Sequence, residues 1–244
     1  ARTGQADLAM MPIENSTYGR VADLHRLLPT SGLYIIGEHF VPVRINLLGV
    51  PGAILSDVKT AQSHTVLLGQ VGKFLAQHGI LPVVGADTAG SAVQIAEAGD
   101  RSRAALASPL AGSLNGLQVL AENVQDLDNN TTRFLVMSPK EGDLPPVSGK
   151  IMTSFIFQVR NVPAALYKAM GGFATNKVNM VKLESYMIDG SFQATQFYAE
   201  IEGHPDDPGV AHAMEELTFF TKTLRVMGVY ERSEWRAANT PAPD

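Results

Sequence analysis

Residues 139–149 carry Pro139, Pro145, Pro146, Gly142 and Gly149, and the hydrophobic rhythm of the chain changes across them. No continuous helix or strand tolerates breakers at that density, so residues 140–150 read as a linker between two domains, 1–139 and 151–232. Residues 233–244 then read as a flexible tail.

Ahead of the linker, short β-type runs alternate with helical ones. Residues 35–48 are extended and interrupted by Pro42; Ser63 is placed to cap a helix whose face is Leu67, Val71, Phe74 and Leu75; Pro82, Val83 and Val84 return as a strand. Thr88 is placed to cap the next helix, through Ala98, and residues 104–107 form another strand. A long helix is expected from Pro109 to Glu122, burying Leu110, Leu114, Leu117 and Leu120. Such alternation predicts an α/β fold, a parallel or mixed sheet with helices on both faces.

Behind the linker the order is different. Phe155, Phe157 and Val159 alternate on one strand face, Pro163 suits a first helical position, and Leu166, Ala169, Met170 and Phe173 follow at helical spacing. Val181, Leu183 and Ser185 alternate into Asp189-Gly190, a hairpin signal, with residues 192–201 as the return strand. Val210, Ala213, Met214 and Leu217 give a second helical face, and residues 224–230 a last strand. That is βαββαβ, an α+β ferredoxin-like domain.

Two polar segments interrupt apolar runs: Pro12-Ile13-Glu14-Asn15-Ser16 and Asn130-Thr131-Thr132-Arg133-Phe134. Polar side chains at strand ends of an α/β protein tend to line the crevice where ligands bind, so the two distant segments suggest one cleft site. Blander readings stand beside this one. Asn15-Ser16 could cap a helix presenting Val21, Leu24 and Leu28, and Thr132 could be an ordinary strand threonine. His64 and Thr88 could be helix-start residues only, and Arg133 a salt-bridge residue. His25, His39, His78, His204 and His212 have no partner at metal-ligand spacing.

Composition removes whole classes. The 244 residues include no cysteine, so disulfides, thiolate metal sites and cysteine nucleophiles are excluded. A net charge of −5 argues against nonspecific nucleic-acid binding. No apolar run approaches the ~18 residues of a membrane span, and the first residues lack the apolar core of a secretory signal, which makes the cytoplasm the default setting.

Taken together, these segments resemble prephenate dehydratase followed by an ACT regulatory domain, over about residues 3 to 230. In the first half the likeness rests on residues 12–16 with Gly19, on Ser63-His64, on Asp87-Thr88-Ala89, on Ala104 through Leu120 and on Thr132-Arg133-Phe134. In the second half it rests on residues 161–167 and 178–185. The resemblance implies a two-lobed, periplasmic-binding-protein-like catalytic domain ahead of the ACT domain. It also implies a cytoplasmic carbon–oxygen lyase of phenylalanine synthesis that needs no metal or cofactor. Thr132 would assist departure of the 4-hydroxyl, with Asn15 and Glu14 as its catalytic companions and Ser16, Ser63, His64, Thr88 and Arg133 as substrate contacts. L-phenylalanine would be the effector, held by Asn161, Ala164, Ala165, Leu166, Glu184 and Ser185 in a homodimer or homotetramer.

Departures from the family pattern fall at two places. Ala164 stands where the family usually has glycine, and Tyr186-Met187 replaces Arg-Pro after Glu184-Ser185. The family also opens with a glycine-rich strand and loop carrying a serine or threonine. A unit of that kind, ~40 residues long, is missing from the family pattern here, which implies either that further sequence precedes Ala1 or that the protein is a truncation. Three further functions compete with the dehydratase: an arogenate dehydratase, a non-catalytic phenylalanine sensor, and a solute-binding protein. The last is disfavoured by the appended ACT-like half.

Overall fold

The computed structural model describes residues 1–147, 149–160, 162–187 and 194–239. In chain order the elements are β1 (Ala9–Asn15), β2 (Gly19–Arg20), α1 (Ala22–Leu27), β3 (Tyr34–Pro42), β4 (Asn46–Gly49), β5 (Thr60–Ser63), α2 (Thr65–Leu68) and α3 (Gly72–His78). There follow β6 (Leu81–Val84), α4 (Thr88–Ala98), β7 (Arg103–Ala107), α5 (Pro109–Leu114), β8 (Gln118–Ala121) and β9 (Thr131–Ser138). The remainder comprises β10 (Ile151–Val159), α6 (Ala165–Thr175), β11 (Met180–Met187), β12 (Ala194–Glu202), α7 (Pro208–Phe220), β13 (Thr221–Glu231) and α8 (Glu234–Asn239). The expected Asp189-Gly190 turn lies outside the described residues.

The chain separates into two compact units, one of residues 1–41 with 132–244 and one of residues 42–131. The division between these compact units does not coincide with the Pro/Gly-rich segment, where the composition places a linker. The reason is a shared core within the first unit. Its four-stranded sheet, in the order β2-β1-β9-β3, contributes Ile13, Leu24 of α1, Ile35, Leu135 and Met137. These meet Met152, Ile156, Tyr198, Met227 and Tyr230 of a second sheet, ordered β11-β12-β10-β13. The other face of that second sheet carries α6 and α7, through Phe155, Phe157, Ala169, Phe173, Ala213 and Leu217. Residues 151–157 are consequently buried on both faces, not on one as alternation had implied. Gly228 sits at a close approach between the sheets, since a Cβ there would overlap the Ile35 carbonyl.

The end of the chain also differs from expectation. Residues 234–239 form α8 instead of a loose tail, because Trp235 stacks on Phe40 with ring centroids 4.3 Å apart and Arg236 reaches Glu38 at 2.8 Å.

The second unit is built on a mixed sheet, β6-β5-β7-β4-β8, in which β5 runs parallel to β6 and β7 while β4 is antiparallel to β7 and β8. Ala104 and Leu106 of β7 join one core with Val71 and Leu75; Ala105 and Ala107 join the other with Ala92 and Ile95 of α4. A strand covered on both faces reads as a continuous apolar run. The expected helix 109–122 stops at Leu114. Asn115 closes it, Gly116 takes φ +65°, and residues 118–121 turn back as a strand against β4. Leu110 and Leu114 are left exposed, and only Leu117 is buried.

Candidate active site

Two cross-strand pairs at the end of the β1–β9 ladder define the site. Asn15 stands opposite Thr132 and Glu14 opposite Arg133. Adjacent strand residues point to opposite faces, so the two pairs project in opposite directions from one ladder.

On the first face, Asn15 Nδ2 donates to Thr132 Oγ1 at 3.1 Å. The orientation of this amide follows from its other partners. Asn15 Oδ1 accepts from the Thr17 amide at 2.9 Å, the Thr17 hydroxyl at 2.7 Å and the Tyr18 amide at 3.0 Å. With its oxygen claimed by three donors, the nitrogen must face Thr132. Asn15 thus shapes the turn between β1 and β2 and is not a helix cap; α1 begins later, with Val21 at its cap position. Gly19, at φ +77°, supplies the left-handed residue that this three-residue connection needs. Ser16 is exposed in the same turn. Accepting from Asn15 uses one lone pair of the Thr132 hydroxyl and leaves its O–H as a donor.

On the opposite face the charges are locked together. Arg133, 2% exposed, meets Glu14 at 2.9 Å, Glu38 at 2.7 Å and Glu200 at 2.9 Å, and donates to Tyr230 at 3.2 Å. Lys182 binds the second oxygen of Glu14 at 2.5 Å, and Arg236 holds Glu38 and Glu200. Tyr198 donates to the other Glu200 oxygen. Burial alone would raise the Glu14 carboxyl, but Arg133 and Lys182 beside it hold it at about 2. Such a group is a fixed anion and not an acid. Glu14, expected as a catalytic companion, and Arg133, expected as a substrate contact, both have their side chains committed to this network. Lys182, Glu38, Glu200 and Arg236 escaped the sequence reading. Glu200 alone left a signal, a carboxylate inside the apolar run Phe197 to Ile201.

The remaining substrate candidates belong to the second unit. Ser63 is fully buried, still paired in β5, and donates to the Leu106 carbonyl at 2.8 Å, so it does not cap the helix. His64 takes the cap position of α2, its Nδ1 accepting from the Val66 amide at 3.3 Å. Asp87, not Thr88, caps α4, because its carboxylate accepts from the Gly90 amide at 2.6 Å; Thr88 is the first helical residue. β5 and β6 are parallel, so His64 and Thr88 follow strand ends on the same edge of that sheet.

Of the effector candidates, Asn161 lies outside the described residues. Ala165 is buried in the helix–sheet core and Leu166 is packed against it. Glu184 pairs with Arg20 at 3.1 Å and with Lys182 at 3.4 Å, and the Ser185 carbonyl accepts from Arg20 at 3.4 Å. Ala164 caps α6 at φ +60°, a left-handed conformation that costs an L-residue about 1 kcal/mol and glycine little. The expected result is that Ala164→Gly raises the unfolding free energy by up to ~1 kcal/mol in urea titration; an unchanged or lower value contradicts the strain.

Tyr186, one of the departures, shares a 3.0 Å hydrogen bond with His25 of α1. Burial, with Lys182 nearby, lowers the imidazole from its ordinary 6.5 to about 4. The folded state thus binds the proton more weakly than the unfolded chain. Stability is full above pH 6.5 and falls as pH drops from 6.5 to 4, by on the order of 3 kcal/mol. Glu14 acts in the same direction but lower, between 4.5 and about 2. His25→Gln should flatten the upper window and leave the lower one; an undiminished upper slope refutes this assignment.

A family model, prephenate dehydratase, matches residues 1–142. The chain belongs to that family. It is 49% identical over 233 residues to a bifunctional N-acyl-homoserine lactone acylase/prephenate dehydratase of Komagataeibacter europaeus, covering 96% of this chain and 83% of the relative. To an arogenate dehydratase/prephenate dehydratase of Arabidopsis thaliana it is 34% identical, over 92% of this chain and 60% of that one. The crystal structure of a prephenate dehydratase from Arthrobacter aurescens in complex with L-Phe superposes with a TM-score of 0.85 at 33% identity, covering 99% of this chain and 79% of that chain.

Proposed function

We infer that this member of the prephenate dehydratase family converts prephenate to phenylpyruvate, CO2 and water. The carrying observation is the Asn15–Thr132 hydrogen bond, which orients a hydroxyl at a strand end. In this reaction the carbon–carboxylate bond breaks, its electron pair moves through the ring, and the C4–oxygen bond breaks as the ring becomes aromatic. The leaving oxygen gathers negative charge and needs a donor. Thr132 supplies one, worth about 10²–10⁴-fold in rate for a positioned acid or hydrogen-bond assistant. No step needs a metal, a cofactor or a strong base, and orientation of the substrate supplies a further share. His64 and Thr88 are proposed as substrate contacts.

Residues 151–231 are read as the ferredoxin-like ACT module, on their βαββαβ order and their sheet order β11-β12-β10-β13. L-phenylalanine is the proposed effector, and the homo-oligomer expected for the family is proposed with it. The Arabidopsis relative makes arogenate a competing substrate, and the identity to the Komagataeibacter protein favours acyl-homoserine lactone hydrolysis as a second activity.

The deciding experiment follows phenylpyruvate from prephenate by its absorbance in alkali, with and without L-phenylalanine, beside phenylalanine formation from arogenate and acid release from an acyl-homoserine lactone. Prephenate turnover is expected. Folded protein that turns over neither prephenate nor arogenate overturns the reading.

A further inference from the structure

The Asn15–Thr132 pair lies just past an irregularity in its own ladder. The β1–β9 register shifts between Pro12 and Glu14 before resuming at Glu14↔Arg133 and Asn15↔Thr132. A bulge loosens a ladder locally, and a slip of one residue would turn Asn15 to the other face. Two positions of β1 pair with β9 beyond the bulge, while β2 pairs with the same two from the other side, and side-chain contacts add to what holds the register against β9. Glu14 and Arg133 do this across the strands at 2.9 Å, and both are gripped in turn from β11 and β12.

We propose that Lys182 and Glu200 are positioning residues for the Asn15–Thr132 pair, acting through Glu14 and Arg133. Lys182 takes one oxygen of Glu14 while Arg133 takes the other, so the carboxylate is bridged between two cations and cannot rotate. Glu200 shares Arg133 Nη1 with Glu14 and is itself fixed by Tyr198 and Arg236. Three carboxylates, Glu14, Glu38 and Glu200, are matched by Arg133, Lys182 and Arg236. The far half of the chain thereby helps to set the geometry of the reacting hydroxyl without touching substrate. Glu184 also contacts Lys182, at 3.4 Å, which ties the same lysine to a candidate effector residue.

This inference rests on the dehydratase reading. Its test compares prephenate kinetics of wild type, Lys182→Met, Lys182→Arg and Glu200→Gln. Lys182 lies at the rim, 13% exposed, and methionine preserves its length, which favours a folded variant. Lys182→Met should lower kcat about tenfold or more with KM within about threefold, the signature of a group that acts only on the transition state. Lys182→Arg should restore kcat to within about threefold, because it keeps the charge. Glu200→Gln should follow Lys182→Met in direction. Should Lys182→Met not fold, Lys182→Gln takes its place. Wild-type kcat in the uncharged variants, equal losses in Lys182→Met and Lys182→Arg, or a change confined to KM would each overturn the inference alone. A wild type without turnover would overturn the dehydratase reading, and this inference with it.

Discussion

Thr132→Ala is expected to lower kcat on prephenate by about 10²–10⁴-fold while the urea midpoint stays near wild type. The size follows from the role proposed for Thr132, a donor to an oxygen that becomes charged only as the bond breaks; a contact made mainly in the transition state appears in kcat rather than KM. The small structural cost follows from the site. Thr132 is half-buried at a strand end, and its side-chain bond to Asn15 is one among many contacts of β9. Thr132→Ser keeps the hydroxyl and should retain most of the turnover, whereas Thr132→Val, which keeps the shape, should behave as alanine does. Near-normal turnover in the alanine variant would remove Thr132 from the chemistry.

Arg133→Met should do the reverse, unfolding the protein at a much lower urea concentration. Loss of the guanidinium leaves Glu14, Glu38 and Glu200 facing one another with Lys182 and Arg236, among the described residues, to oppose them. Breaking a buried ion pair from one side costs about 3–5 kcal/mol, because the desolvated partner charge remains. The side chains of Glu38 and Glu200 are fully buried, so water does not relieve them. If Arg133 instead gripped substrate, the variant would keep its stability and raise KM. The direction of the change therefore separates a scaffold arginine from a ligand arginine, even though the two strands place it next to Thr132.

The sequence reading grouped Glu14 with Asn15, and Thr132 with Arg133, because neighbours in sequence look like neighbours in a site. In a strand they face opposite ways, and which face meets the second sheet is a tertiary fact. The βαββαβ order was legible from hydrophobic period and turn residues, since each element carries its own local signal. The shared core was not, although Met152 and Ile156 interleaved with Phe155 and Phe157 hinted at a strand covered on both sides. Asn115-Gly116 is a strong helix stop that the leucine spacing of residues 110–120 masked. Trp235, the single tryptophan, argued against a loose tail, but its partner Phe40 lies far back in the chain. His64 and Asp87 displaced the expected caps Ser63 and Thr88 by one residue, an uncertainty inherent in reading helix starts from hydroxyl residues alone.

A double-mutant cycle in kcat on prephenate, using Asn15→Ala, Thr132→Ala and the double variant, tests most directly whether the Asn15–Thr132 hydrogen bond is the working part of the site. If Asn15 acts by orienting the Thr132 hydroxyl, the double variant should fall within about twofold of Thr132→Ala, since nothing remains for Asn15 to orient. Losses that multiply, or a wild type that does not turn over, would contradict the assignment.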